Sequence, residues 1–199
     1  MGIRYTKKTR EILYFIEQYD FCTINIISKI FYKRNKHGYN QARVKLSNLL
    51  NEGVLKRYMS SSGEYYYQTY SKNISDHKKY ILDLYAYIYS EVDEVIYFKV
   101  EEQWYKRRSD AHIIIKNNDK NYSFLVEFEK FHMTSPQKYD ELYDSGEIKQ
   151  WYKDNYGLED YFPTVLIISP TGITQCHDKE LKWQTVCVDY KFTYLNEVL

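Results

Sequence analysis

The run Thr164-Val165-Leu166-Ile167-Ile168-Ser169 constrains the fold more than any other stretch of this chain. Its apolar residues do not alternate with polar ones, so it suits a short strand buried on both faces of a sheet rather than one wetted on one side. What precedes it can supply that sheet. Tyr80, Ile81, Leu84, Tyr85 and Ile88 repeat at helical spacing over Asp76–Ser90, and three strand-like runs follow, Glu94–Val100, Ala111–Ile115 and Phe124–Glu129. The last two are joined across Lys116-Asn117-Asn118-Asp119-Lys120-Asn121 as a hairpin. A long polar helix is expected over Ser135–Asn155, and Thr185–Asp189 offers one more strand. The order is α-β-β-β-α-β, an α/β domain over residues 76–199.

Charge divides the chain near residue 75. Residues 1–75 hold thirteen Lys and Arg against five Asp and Glu, and residues 76–199 hold fifteen against twenty-two, although the whole carries only +1. A basic first domain, 1–75, is therefore expected before an acidic second one, 76–199. Ile12, Leu13, Phe15, Ile16 and Tyr19 form a helical stripe over Thr6–Asp20, and Thr23 opens a second through Ile26, Ile27, Ile30 and Phe31. After the polar turn Lys33–Gly38, a third helix over Tyr39–Asn51 lines up Ala42, Leu46, Leu49 and Leu50, with Gly53 where a left-handed residue ends a helix. Val54–Met59 and Tyr65–Tyr70 flank a polar loop as a hairpin. Three helices and a hairpin are the order of a winged helix-turn-helix, so the fold class expected is α+β.

The face of the third helix opposite Leu46 carries Asn40, Gln41, Val44, Lys45, Ser47, Asn48 and Asn51, mostly groups able to meet base edges or phosphates, with Lys33, Arg34, Lys36 and Arg43 as the basic residues around it. Val44 among them suits a thymine methyl group. Lys56 and Arg57 on the hairpin suit the flanking backbone, and a basic surface gains affinity for a duplex by releasing its counterions. Double-stranded DNA is the expected partner. The same residues also describe an ordinary solvated helix face, and winged helices dock on proteins as well. In the tyrosine run Tyr65-Tyr66-Tyr67, alternation is expected to send neighbours to opposite faces.

In the second domain Asp110 stands at the mouth of one strand and Glu127-Phe128-Glu129 at the end of the next. Strand period two puts both glutamates on one side, where with Asp110 they suit a divalent cation such as Mg2+ or Mn2+ and phosphodiester hydrolysis. Their plain alternative is pairing with Lys106, Arg107, Arg108 or Lys138.

At Arg108-Ser109-Asp110-Ala111-His112-Ile113-Ile114-Ile115 and Phe124-Leu125-Val126-Glu127-Phe128-Glu129-Lys130 the chain resembles the PD-(D/E)xK nuclease superfamily, a restriction-endonuclease-like fold. A winged helix in front of such a domain is similar to the replication-relaxation family of plasmids and other mobile elements. That resemblance covers nearly the whole chain and implies that Asp110 and Glu127 match the metal-binding acids, with Glu129 where an active nuclease carries lysine. A glutamate there weakens stabilisation of the transition state unless another cation substitutes, through a bulge turning Lys130 inward or through Lys138 from the next helix. His132 lies just past the strand as a further polar candidate. The expected function is DNA binding in the replication, transfer or regulation of a mobile element, with a nuclease-like domain that is catalytically weak or silent. Metal-dependent endonuclease and protein-docking adaptor stand as the other readings, and a homodimer and a replication or transfer protein as further partners.

Other chemistries find no support. The five histidines make no H-x-H or H-E-x-x-H spacing, and no phosphate-loop glycine pattern occurs. Cys22, Cys176 and Cys187 are an odd count without C-x-x-C spacing, which together with the absence of a secretory or membrane-length apolar run leads to the expectation of a soluble, cytoplasmic protein.

Overall fold

The computed structural model describes residues 5–60, 63–71, 73–130, 133–172, 180–193, 195 and 199. The chain forms two compact units, Met1–Ser90 and Glu91–Leu199.

In the first unit, α1 (Lys7–Tyr19) starts where the Thr6 hydroxyl accepts from the Thr9 backbone N–H at 3.3 Å. α2 (Ile24–Phe31) starts where Thr23 accepts from Ile26 N–H at 3.2 Å. Each hydroxyl satisfies a donor that the first helical turn leaves without a partner. α3 (Gly38–Asn51) sets out close to the end of α2, because a Cβ on Gly38 would lie 2.8 Å from the Tyr32 carbonyl oxygen. Ile12, Phe15 and Ile16 of α1, Ile26 and Ile27 of α2, and Ala42, Leu46 and Leu49 of α3 are all buried, following the spacing read from the sequence.

The hairpin pairs β1 (Lys56–Met59) with β2 (Tyr65–Gln68) in the register Lys56 to Gln68 and Met59 to Tyr65. Cys22 and Tyr67 exchange both backbone hydrogen bonds at 2.9 Å, which extends the hairpin by one bridge between α1 and α2. Tyr65 is 43% exposed, whereas Tyr66 and its neighbour Tyr67 are both buried, since β2 is the middle strand and is covered on both sides.

α4 (Asp76–Glu91) groups with this unit, so the boundary falls after Ser90 and not at the charge step after residue 75. The Tyr85 ring lies 6.4 Å from Phe15 and 6.2 Å from Tyr19, Lys78 pairs with Asp20, and Lys79 bridges Glu64 and Asp83 at 3.2 Å each. Apolar packing and these pairs decide where the helix belongs, and net charge does not.

The second unit is built on a mixed sheet in the order β3-β6-β7-β8-β9. β3 (Glu94–Val100), β6 (Ala111–Asn117) and β7 (Lys120–Phe128) run antiparallel to one another, and β8 (Thr164–Ile168) and β9 (Thr185–Val188) continue parallel to β7. A small hairpin, β4 (Gln103–Trp104) with β5 (Arg107–Arg108), sits between β3 and β6 and was not expected. β6 and β7 are longer than their apolar cores, because the turn is only Asn118-Asp119, both left-handed at φ 50° and 60°.

The single helix expected over Ser135–Asn155 is two, α5 (Pro136–Ser145) and α6 (Glu147–Tyr156). Gly146 separates them at φ 70°, and the Ser145 hydroxyl accepts from Glu147 N–H at 3.3 Å to open the second. Tyr139 and Leu142 of α5 with Ile148 and Tyr152 of α6 pack on Ile114, Leu125, Val165 and Ile167 of the sheet. Val165, Leu166, Ile167 and Ile168 are each 0% exposed, as their unbroken apolar run demands. At about 1.5–3 kcal/mol per buried aliphatic side chain, this layer is a main source of the unit's stability. Among the described residues no helix is long and apolar enough to cross a membrane.

Candidate functional site

On α3 the amphipathic spacing that buries Ala42, Leu46 and Leu49 turns Asn40, Gln41, Arg43, Val44 and Asn48 outward, all exposed. Val44 is 52% exposed in the middle of them, and Tyr39 at the start of the same face is 55% exposed. Lys45 and Ser47 are half-buried at its margin, and the Lys45 ammonium donates to the Thr9 hydroxyl at 3.1 Å, tying α3 to α1. All four residues of β1 are exposed, among them Lys56 and Arg57. The Arg57 guanidinium lies 4.5 Å from the Tyr65 ring centroid, a cation–π contact that stiffens the side chain without satisfying its charge.

The three acids read from the second unit part company. Asp110 sits at the start of β6, where its N–H donates to Val126 O at 3.0 Å and its carboxylate accepts from Phe128 N–H at 2.8 Å. Glu127 is 7% exposed on the α5 side of β7, and its Oε1 accepts from the Lys138 ammonium and the Tyr139 hydroxyl, each at 2.6 Å. Burial, and next the nearby Asp110 carboxylate, push the Glu127 carboxyl up to about 7, against the lowering pull of Lys138 and Tyr139. Burial and the Glu127 charge likewise raise the Tyr139 hydroxyl well above its ordinary range. Glu129 lies just past the strand, 5% exposed, and accepts from Thr134 N–H at 2.5 Å.

Asp110 and Glu127 are thus within electrostatic reach of each other, and the Glu129 carboxylate is engaged by a loop amide. Among the described residues no three His, Cys, Asp or Glu side chains come together in a way that could hold a metal ion. The charge facing Glu127 is an ammonium. Hard divalent cations take several oxygen ligands at once, so the donors as arranged among the described residues do not fit one.

Of the two substitute cations considered for the site, Lys130 is exposed and Lys138 occupies it. Arg107 pairs with Glu141 at 2.7 Å and Arg108 with Glu101 at 3.5 Å, so those two serve other carboxylates. His132 lies outside the described residues.

A second polar cluster went unread in the sequence. His112, 0% exposed on β6, meets Glu102 Oε2 with Nδ1 and the Tyr152 hydroxyl with Nε2, both at 2.6 Å. Tyr152 in turn meets the Ser123 hydroxyl, while Tyr97 donates to Glu102 Oε1 at 2.7 Å and Lys99 at 3.1 Å. Burial opposes the charge on Glu102, yet the bonds from His112, Tyr97 and Lys99 prevail and hold its carboxyl below the ordinary value. The sequence signal available was His112 inside an otherwise apolar strand, where a polar side chain must find partners. Compared with known proteins, the chain matches no family model, no curated protein and no solved structure.

Proposed function

We propose that the protein binds duplex DNA through a winged helix in its first unit, with α3 in the major groove and the β1–β2 hairpin as the wing. One observation carries this reading: the outward face of α3 presents exposed amides, Arg43 and an exposed Val44, on a helix whose opposite face is held in the core. Base edges offer both the hydrogen-bonding groups and the thymine methyls that such a face can meet. Exposed Lys56 and Arg57 suit phosphate contacts.

The second unit is read as a nuclease-like scaffold and interaction surface of the PD-(D/E)xK kind, catalytically silent because Lys138 neutralises the buried carboxylate that a divalent ion would use. Three antiparallel strands followed by a parallel one, with acids at the mouth of the second and the end of the third, support that reading. By resemblance to the replication-relaxation proteins, the process served is replication, transfer or their control on a mobile element, in the cytoplasm, by a homodimer on paired half-sites.

The test is one set of gels with labelled duplex and supercoiled plasmid, with Mg2+, with Mn2+ and with chelator. Salt-sensitive retardation without cutting is expected. Arg43→Ala and Lys56→Ala should each lower the slope of log affinity against log salt by about one, and Asn48→Ala should cost about 1–3 kcal/mol on the preferred sequence only. Metal-dependent nicking that Asp110→Ala abolishes makes the protein an endonuclease instead. Absence of salt-sensitive retardation leaves a protein-docking module.

A further inference from the structure

The β1–β2 hairpin is fastened at both ends by neighbouring residues of α4. At its open end the Gln68 amide donates to the Asp20 carbonyl at 3.3 Å, and the Asp20 carboxylate takes the Lys78 ammonium. At its turn end Ser60 N–H donates to Glu64 O at 2.8 Å and Glu64 N–H to the Ser60 hydroxyl at 3.0 Å, which closes the turn on these two residues. The Glu64 carboxylate then meets the Lys79 ammonium at 3.2 Å, and the same ammonium meets Asp83 one helical turn on, also at 3.2 Å. Lys29 of α2 lies within electrostatic reach of Asp83. Lys79 thereby joins the turn to α4, and Asp83 faces α2 in the same network.

The Lys79 side chain is only 17% exposed. Burial opposes its charge, yet the Asp83 and Glu64 carboxylates prevail and hold the ammonium above the ordinary lysine range. An ammonium already compensated by two carboxylates gains little from a phosphate. What it holds stands beside a cation that is exposed. Glu64 precedes Tyr65, whose ring lies 4.5 Å from the Arg57 guanidinium and which pairs with Met59 across the hairpin. Two four-residue strands have little stability of their own, so the orientation of the hairpin depends on what it is docked against.

We propose that Lys79 is a positioning residue for DNA binding: by tying Glu64 to α4 it holds the hairpin, and Arg57 with it, in the orientation that meets the duplex. This rests on the reading of the hairpin as a wing. Ordering a loop at an interface opposes association, so a tether that orders it beforehand raises affinity.

The test is duplex retardation by the full chain and its variants. Lys79→Met and Arg57→Ala should each weaken binding by about three- to tenfold. The two together should bind no more than about twofold weaker than Lys79→Met alone, because a hairpin set loose no longer presents Arg57. Lys79→Arg keeps the cation and should restore most of the affinity. The sequence preference that depends on Asn48 should persist in Lys79→Met, which separates loss of hairpin order from unfolding. Lys79→Met leaves Asp83 buried without that cation; combining it with Asp83→Asn removes this penalty, and that variant carries the test if the single one does not fold.

Binding by Lys79→Met within about twofold of the parent, Arg57→Ala without effect, or losses that multiply in full, as repulsion by a freed Glu64 would give, overturns the proposal. Lys79→Arg no better than Lys79→Met also overturns it. Where Lys56→Ala and Asn48→Ala still weaken binding, the DNA reading survives that failure. A parent that does not retard duplex overturns both.

Discussion

The Lys138 ammonium donates to Glu127 Oε1 at 2.6 Å and so fastens the first turn of α5 to the end of β7. Lys138 is 19% exposed and Glu127 9% by side chain, which makes the pair largely shielded from solvent and keeps its attraction strong. Removing one member of such a pair costs more than the pair is worth, because the remaining charge stays buried. Lys138→Met should therefore destabilise the protein by about 3 kcal/mol near pH 8. Near pH 5 the loss should shrink, since Glu127 can take up a proton. Urea unfolding at both pH values measures this, and equal losses would show that the ammonium matters only for packing.

Glu127 also shapes the pH dependence of stability. Its folded carboxyl titrates at about 7, above the ordinary 4.5, so between those values the folded state binds more protons than the unfolded one. Stability then falls as pH rises through this window, and the contribution of the protonated form is complete below pH 4.5 and gone above pH 7. Glu127→Gln should flatten the curve of thermal midpoint against pH between pH 5 and pH 8. A parallel curve in the variant would mean that Glu127 is not the titrating group.

The chain from Glu102 through His112 and Tyr152 to Ser123 is fully buried, so its members depend on one another. His112→Leu leaves the Glu102 carboxylate with Tyr97 and Lys99 but strips Tyr152 of its ring-nitrogen partner, at an expected loss of about 2–3 kcal/mol. Combined with Glu102→Gln, the loss should be smaller than the sum of the two single changes by at least about 0.5 kcal/mol. Strict additivity would show that the bonds are not energetically linked.

Gly146 has open space around an added Cβ, with nothing within 4 Å, yet its φ is +70°. Gly146→Ala tests the backbone alone and should cost about 1–2 kcal/mol from the left-handed conformation. If it costs nothing, α5 and α6 can merge toward the single helix that their composition allows.

Much of the fold is legible from local rules. Thr6 and Thr23 cap the helices they precede, and β3 spans the residues its pattern marks. The break at Gly146 was missed because the apolar spacing on either side stays helical, and only the left-handed φ of one glycine divides it. α4 was assigned by charge, whereas its Tyr85 is held by the rings of Phe15 and Tyr19, contacts that no local pattern records. Of the candidate acids, strand period places Glu127 and Glu129 on one side of β7, but the pairing of Glu127 with Lys138 and the engagement of Glu129 by Thr134 depend on α5 and on the loop beyond the strand.

The amino-acid order by itself determined the helical stripes of the first unit, the reader-like composition of α3, and a doubly buried central strand at Val165–Ile168. These follow from periodicity, which each segment carries internally. Only the tertiary structure decided that Lys138 rather than Lys130 faces Glu127, and that His112 joins Glu102 to Tyr152. Such pairings depend on how strands and helices far apart in the chain are packed together, and on the requirement that a buried polar group find a partner wherever packing leaves one.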